Sequence, residues 1–184
     1  MKRIYIILTY SGTVLSRIVK AYTGAEYSHV SIGLDENLTM MYSFGRLNPY
    51  NPFRGGFVHE GINIGTFKRF KNTQTAVYSI MISDEQYNRL NQIIHKVEAT
   101  SQKYKFNFVG LVAVALHMKI QRRRAFYCAE FVKYAMKKAQ IKNNLPDIVK
   151  PEDFLNLENI RLEYKGALKQ YKVEELPTLN VANL

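Results

Sequence analysis

The sequence predicts an α+β fold in which an antiparallel sheet packs against helices. Short runs rich in Ile, Val, Tyr and Phe, separated by turn residues, dominate the first half of the chain, which is the pattern of strands. Two of these runs are separated only by Asp35-Glu36-Asn37, a connection short enough to make them antiparallel neighbours. Further along, apolar residues recur at helical spacing, most clearly from Cys128 to Ala139.

The elements follow in order. Residues 2–9 are rich in Ile and form a buried strand. Thr13 to Tyr22 places Val14, Leu15, Ile18 and Val19 on one helical face, and Gly24 ends that helix. Tyr27 to Leu34 is a strand carrying His29, with Leu38 to Phe44 as its return strand. Gly45 to Gly56, with Asn48-Pro49-Tyr50-Asn51-Pro52, has the composition of a loop over the edge of a site. Phe57 to Ile64 and Ala76 to Ile82 are further strands, and Ser83-Asp84-Glu85-Gln86 is a capping box opening a helix through Leu90, Ile94 and Val97. An apolar helix spans 106–118, a basic linker follows to Arg124, and the helix from Cys128 has Phe131, Val132, Ala135 and Met136 on its buried face. Arg161 to Tyr171 is the last expected strand. One domain over 1–172 with a C-terminal tail at 173–184 accommodates all of this.

Composition narrows the classes. A hydrophobic share of 47% in 184 residues supports a real core. The apolar start, Ile4 to Leu8, is too short for a signal peptide, and 106–118 is too short for a membrane span; a cytoplasmic protein is expected. A single cysteine rules out an internal disulfide and argues against a structural zinc site. The net charge of +11 raises anionic partners, but Lys and Arg are spread along the chain as on a solvated basic surface. The two local clusters, Lys68-Arg69-Phe70-Lys71 and Arg122-Arg123-Arg124, lack the spaced aromatics of a single-strand platform. No specific nucleic acid is expected; contact with an anionic surface through these patches is.

Cys128 and His29 are the residues that carry chemistry. A helix N-terminus carries partial positive charge that favours thiolate over thiol, and an imidazole on a neighbouring strand can take the proton. In a tight hairpin His29 lies opposite Ser43 or Phe44, so Ser43 is placed to orient the ring, while Tyr42 points to the other face unless a bulge reverses the alternation. His59 and Glu60 are adjacent on a strand and point to opposite faces. His95 falls on a helix surface and His117 at a helix end. No metal is expected, since no His and carboxylate pair has i, i+4 spacing, and no cofactor is expected, since Gly55-Gly56 and Gly61 to Gly65 lack a phosphate-binding fingerprint.

Tyr-Ser-His-Val-Ser-Ile-Gly-Leu around His29, followed about a hundred residues on by Phe-Tyr-Cys-Ala-Glu-Phe-Val around Cys128, resembles the circularly permuted papain-fold enzymes. These are the NlpC-type, YiiX-like branch, related to lecithin:retinol acyltransferase, in which the histidine precedes the cysteine. The resemblance covers roughly residues 4–140. It implies a permuted papain-like fold and a catalytic set of Cys128, His29 and a third polar residue on the strand after the histidine, which maps to Ser43. Serine departs from the family's usual His, Glu, Asn or Gln at that position, and Glu60 and Tyr42 are the alternatives.

Together these readings predict a cysteine peptidase or amidase, a thiol-protease-type hydrolase cleaving an amide or ester through an acyl-enzyme on Cys128, with His29 as base and the Cys128 backbone N–H as an oxyanion donor. Tyr10 or Ser11 is the expected second donor, and Arg46 is expected to line a substrate groove. The implied substrates are peptides, isopeptides or other acyl compounds. The alternatives are a lipid-directed acyltransferase or thioesterase at a membrane surface, and a catalytically idle basic binding module.

Overall fold

The structure, a computed structural model, describes residues 1–115, 120 and 123–171. The expected tail at 173–184, His117 and Arg122 lie outside the described residues.

The chain is an α+β protein. Its first strand, β1 (Lys2–Tyr10), occupies the interior of a six-stranded antiparallel sheet. Ile4, Ile6 and Leu8 face one side, Tyr5 and Ile7 the other, and all five are at most 4% exposed. A strand covered on both faces reads as a continuous apolar run, which explains its weak alternation. Helix α1 (Val14–Thr23) starts at Thr13, whose hydroxyl accepts from the Ser16 N–H, and stops at Gly24 in the left-handed region (φ +68°).

Strand β2 (His29–Gly33) pairs with β1 so that Thr9 lies opposite His29. Strand β3 (Met41–Asn48) runs beside β2 with Ile32 opposite Tyr42, and β4 (Asn51–Glu60) is the sheet edge. The segment from Gly45 to Gly56 is therefore a hairpin, not the loop its composition suggests: Arg46 pairs with Gly55 and Asn48 with Asn51, with Pro49-Tyr50 as the turn. Pro52 is compatible with strand structure because β4 is an edge. Gly55 is required by packing, since a Cβ there would stand 2.7 Å from the Phe106 ring. The strand expected over 57–64 stops at Glu60, and Ile64 caps a short helix, α2 (Gly65–Arg69).

Strand β5 (Gln74–Ile82) pairs with β1 on its other side, and the Ser83–Gln86 capping box opens α3 (Asp84–Ala99). A two-residue strand, β6 (Lys105–Phe106), precedes α4 (Phe108–Ala115). That helix starts later than the expected 106, because Asn107 Oδ1 accepts from the Gly110 N–H at 2.9 Å. Phe106 instead pairs in parallel with Phe126 of β7 (Ala125–Phe126). Helix α5 (Cys128–Lys138) follows, and β8 (Arg161–Ala167) completes the sheet, in the order β4-β3-β2-β1-β5-β8. The last strand is shorter than expected, because residues Leu168–Gln170 tighten into a 3-10 turn.

The main core lies between the sheet face of Ile4, Ile6, Leu8, Val30 and Ile32 and the buried stripes of α3 and α5. Phe131 of α5 is fully buried, with its ring 5.2 Å from Phe44 and 5.5 Å from Phe57. Burying a side chain of this size stabilises a fold by roughly 1.5–3 kcal/mol, so this contact fixes α5 against β3 and β4. The opposite face carries Tyr5, Ile7, Met41 and Val77 beneath Phe67 and Leu168.

Candidate active site

Cys128 is the first residue of α5 and is 4% exposed. Three local features hold it there. Phe126 packs 5.3 Å from Phe44. The Tyr127 N–H donates to Glu130 Oε2 (3.2 Å), which satisfies one of the otherwise unpaired donors of the helix start. The Tyr127 hydroxyl donates to the Val149 carbonyl (2.9 Å), and burial holds that phenol far above the ordinary tyrosine range.

His29 opens β2. Its Nε2 lies 3.1 and 3.2 Å from the two carboxylate oxygens of Glu60, and the residue lines the same cavity as Cys128. Burial works to lower the pKa of the imidazole. The Glu60 charge, the hydrogen bonds to Cys128 and Glu60 and the Cys128 charge outweigh it, raising the value from 6.5 to about 10. Glu60, the last residue of β4, also accepts the Ser31 hydroxyl at 2.5 Å. The carboxylate is thereby fixed from a second direction.

Ser43, expected to orient the ring, does not lie against it. Ser43 is fully buried, and its hydroxyl donates to the Val30 carbonyl at 2.7 Å, not to the ring. The cause is register. With Ile32 opposite Tyr42, Ser43 faces Ser31 and the position opposite His29 falls to Gly45, where a Cβ would lie 3.6 Å from His29 Cε1. Tyr42 takes the other face and stacks on His59 at 5.0 Å, and His59 Nε2 meets the Thr39 carbonyl. Glu60, on the opposite side from its neighbour His59, is the group at the imidazole. Ser31 went unnoticed in the sequence, although its position two residues after His29 on one strand puts both on one face. His95 is exposed beside Glu98.

Cys128, His29 and Glu60 line one cavity of about 70 Å³. Phe44, Phe67, Phe106, Phe108 and Leu111 supply its apolar wall, and Arg46 and Ser11 are at its polar side. Tyr10 is not in this wall; its ring lies under the Lys20 ammonium at 4.5 Å. The hydroxyls of Thr9 and Ser28 also line the cavity, buried and without an intramolecular partner. Among the described residues, no cluster of three or more His, Cys, Asp and Glu side chains is arranged to hold a metal ion. Among the same residues, no helix is long and apolar enough to cross a membrane.

Fold and site together define an α+β protein with a cysteine, a histidine and a glutamate gathered at one cavity. No protein-family model matches the chain, and no curated protein matches it in sequence.

Proposed function

We propose that the protein is a cysteine hydrolase of amidase or peptidase type, with a circularly permuted papain-like fold, and that Cys128, His29 and Glu60 are its catalytic set. The observation that carries this reading is the placement of Cys128, His29 and Glu60 on one cavity, with the Glu60 carboxylate 3.1 Å from His29 Nε2. With Nε2 committed to Glu60, Nδ1 takes the thiol proton. The thiolate attacks the substrate carbonyl carbon, forming a C–S bond, and the carbonyl oxygen gathers negative charge against the Cys128 backbone N–H at the helix start. Collapse of this intermediate expels the amine or alkoxide, which leaves with the proton held by His29. Water then attacks the thioester, His29 takes a proton from it, and the acid is released as the thiol re-forms. A high proton affinity suits His29 to the acid step, and Glu60 stabilises the imidazolium without itself taking the proton.

An activated ester tests this directly, because Cys128 is the only thiol. 4-Nitrophenyl acetate is expected to give a burst of nitrophenolate and an acetyl adduct on Cys128, read by intact mass. The adduct is expected to vanish in Cys128→Ala and to form at least about tenfold more slowly in His29→Gln. Equal labelling of wild type and His29→Gln would overturn the assignment.

A further inference from the structure

The catalytic cavity shares Ser11 with a second, wider groove of about 620 Å³. Arg17, Arg69 and Lys71 line that groove, and no Asp or Glu does. Arg46 stands in the cavity wall itself. Among the described residues, no carboxylate forms an ion pair with any of these four cations.

Neutral groups hold them in place. The Arg46 guanidinium donates to the Thr13 hydroxyl and lies 5.7 Å over the Phe70 ring. Arg69 donates to the Pro49 carbonyl and lies 5.1 Å over the same ring. Two guanidinium groups thus share one aromatic ring, and burial followed by repulsion from Arg69 pulls the Arg46 pKa below its ordinary value. Thr13 is the cap of α1, whose first turn carries no acidic residue, so the positive end of that helix adds to the same field. Gathering like charges without a counter-anion is unfavourable. The arrangement becomes favourable when an anion enters between them, and guanidinium groups bind carboxylate and phosphate through paired hydrogen bonds.

We propose that Arg46, with Arg17, Arg69 and Lys71 of the adjoining groove, binds a carboxylate or phosphate oxyanion of the substrate. The molecule cleaved at Cys128 is then an acyl compound carrying negative charge beside its scissile carbonyl. This inference rests on the cysteine-hydrolase reading for its chemistry, while its binding half stands on the arginines alone.

Two measurements on the full chain test it. The first compares kcat/KM for mono-4-nitrophenyl glutarate, whose acyl chain ends in a carboxylate, with that for neutral 4-nitrophenyl butyrate. Wild type is expected to favour the anionic ester, with the preference shrinking as salt rises. The ratio is expected to fall about tenfold in Arg46→Gln and to recover in part in Arg46→Lys. Arg69→Gln, in the open groove, is expected to lower it as well and serves if Arg46→Gln does not fold. The second is calorimetric binding of glutarate and of inorganic phosphate. Saturable binding of either, weakened in the Arg46 or Arg69 variant, supports the site, and the tighter ligand assigns its chemistry. An ester ratio near one, or binding of neither anion, would overturn the proposal. Anion binding by a protein whose Cys128 forms no adduct would sink the hydrolase reading and leave the anion site standing.

Discussion

Glu60 Oε2 lies 3.1 Å from His29 Nε2, and the two residues come from strands that are not adjacent in the sheet: β3 runs between β2 and β4. The carboxylate reaches across because Gly45 intervenes without a side chain, and because Ser31 holds Oε2 at 2.5 Å from the β2 side. The histidine is therefore oriented by a charged group, which does more for an imidazolium than a hydroxyl can.

Glu60 and Ser43 are separable by substitution. Glu60→Gln keeps the shape and removes the charge that raises the His29 pKa, so kcat/KM is expected to drop about 100-fold. The His29 titration, followed by NMR of its Cε1 proton, should move toward lower pH in the same variant. Ser43→Ala leaves the Val30 carbonyl without its partner. It is expected to lower stability by about 1 kcal/mol while kcat/KM stays within about twofold, well below one power of ten. The reverse ranking would return the orienting role to Ser43.

The raised pKa of His29 also predicts how stability depends on pH. The folded value of about 10 lies above the ordinary 6.5, so the native state holds this proton more tightly than the unfolded chain. The stabilisation is fully present below pH 6.5 and is lost as the pH rises through about 10. The Tm difference between wild type and His29→Gln is therefore expected to shrink across that interval. A difference that stays constant or grows with pH would contradict the raised value.

Helices α1, α3 and α5 and the central strand were legible because their signals are local. The Ser83 and Gln86 side chains cap α3 as the sequence indicates, and the spacing of Phe131, Val132, Ala135 and Met136 gives the buried face of α5. The hairpin of β3 and β4 was not, because Gly45, Gly55, Gly56 and Pro49 have the composition of a loop. Two of those glycines answer to close approaches, of Gly55 to Phe106 and of Gly56 to Leu47, which no local pattern contains. The same limit hid the partner of His29. Shifting the return strand from Leu38 to Met41 moves Ser43 off the ring, and Glu60 comes near only once β4 turns back on β3. Cys128 and His29 were found by motif, and their meeting depends on where Phe126 and Tyr127 anchor the start of α5.

Gly45 gives a steric test of the site. A Cβ there would lie 3.4 Å from Val58 Cγ2, 3.6 Å from Glu60 Oε1 and 3.6 Å from His29 Cε1, which are ordinary contacts. Gly45→Ala is therefore expected to keep near wild-type kcat/KM. The branched methyls of Gly45→Val have no such room; they displace the imidazole from Glu60 or fill the cavity. A loss of about tenfold or more is expected, since small displacements of a catalytic group have large effects on rate. Equal activity in the two variants would mean that the ring does not need its present position.

Asn107 links the cavity wall to the start of the cysteine helix. It is fully buried; Oδ1 caps α4 at the Gly110 N–H, and Nδ2 donates to the Ile120 carbonyl at 3.1 Å and to Glu130 Oε2 at 3.3 Å. Glu130 in turn receives the Tyr127 N–H next to Cys128. Asn107→Ala removes the partner of the Gly110 N–H and of the Ile120 carbonyl and is expected to lower stability by about 2–3 kcal/mol. Asn107→Asp is the sharper variant, because it keeps the cap on Gly110 but sets a second carboxylate against Glu130. Folding then favours a shared proton, so the folded-state pKa of the new pair is raised. Its destabilisation is expected to be largest at neutral pH and to ease as the pH falls toward 5, read as a Tm that approaches wild type on acidification. A Tm deficit that does not change with pH would show that the amide acts by shape and capping, without the charge contact to Glu130.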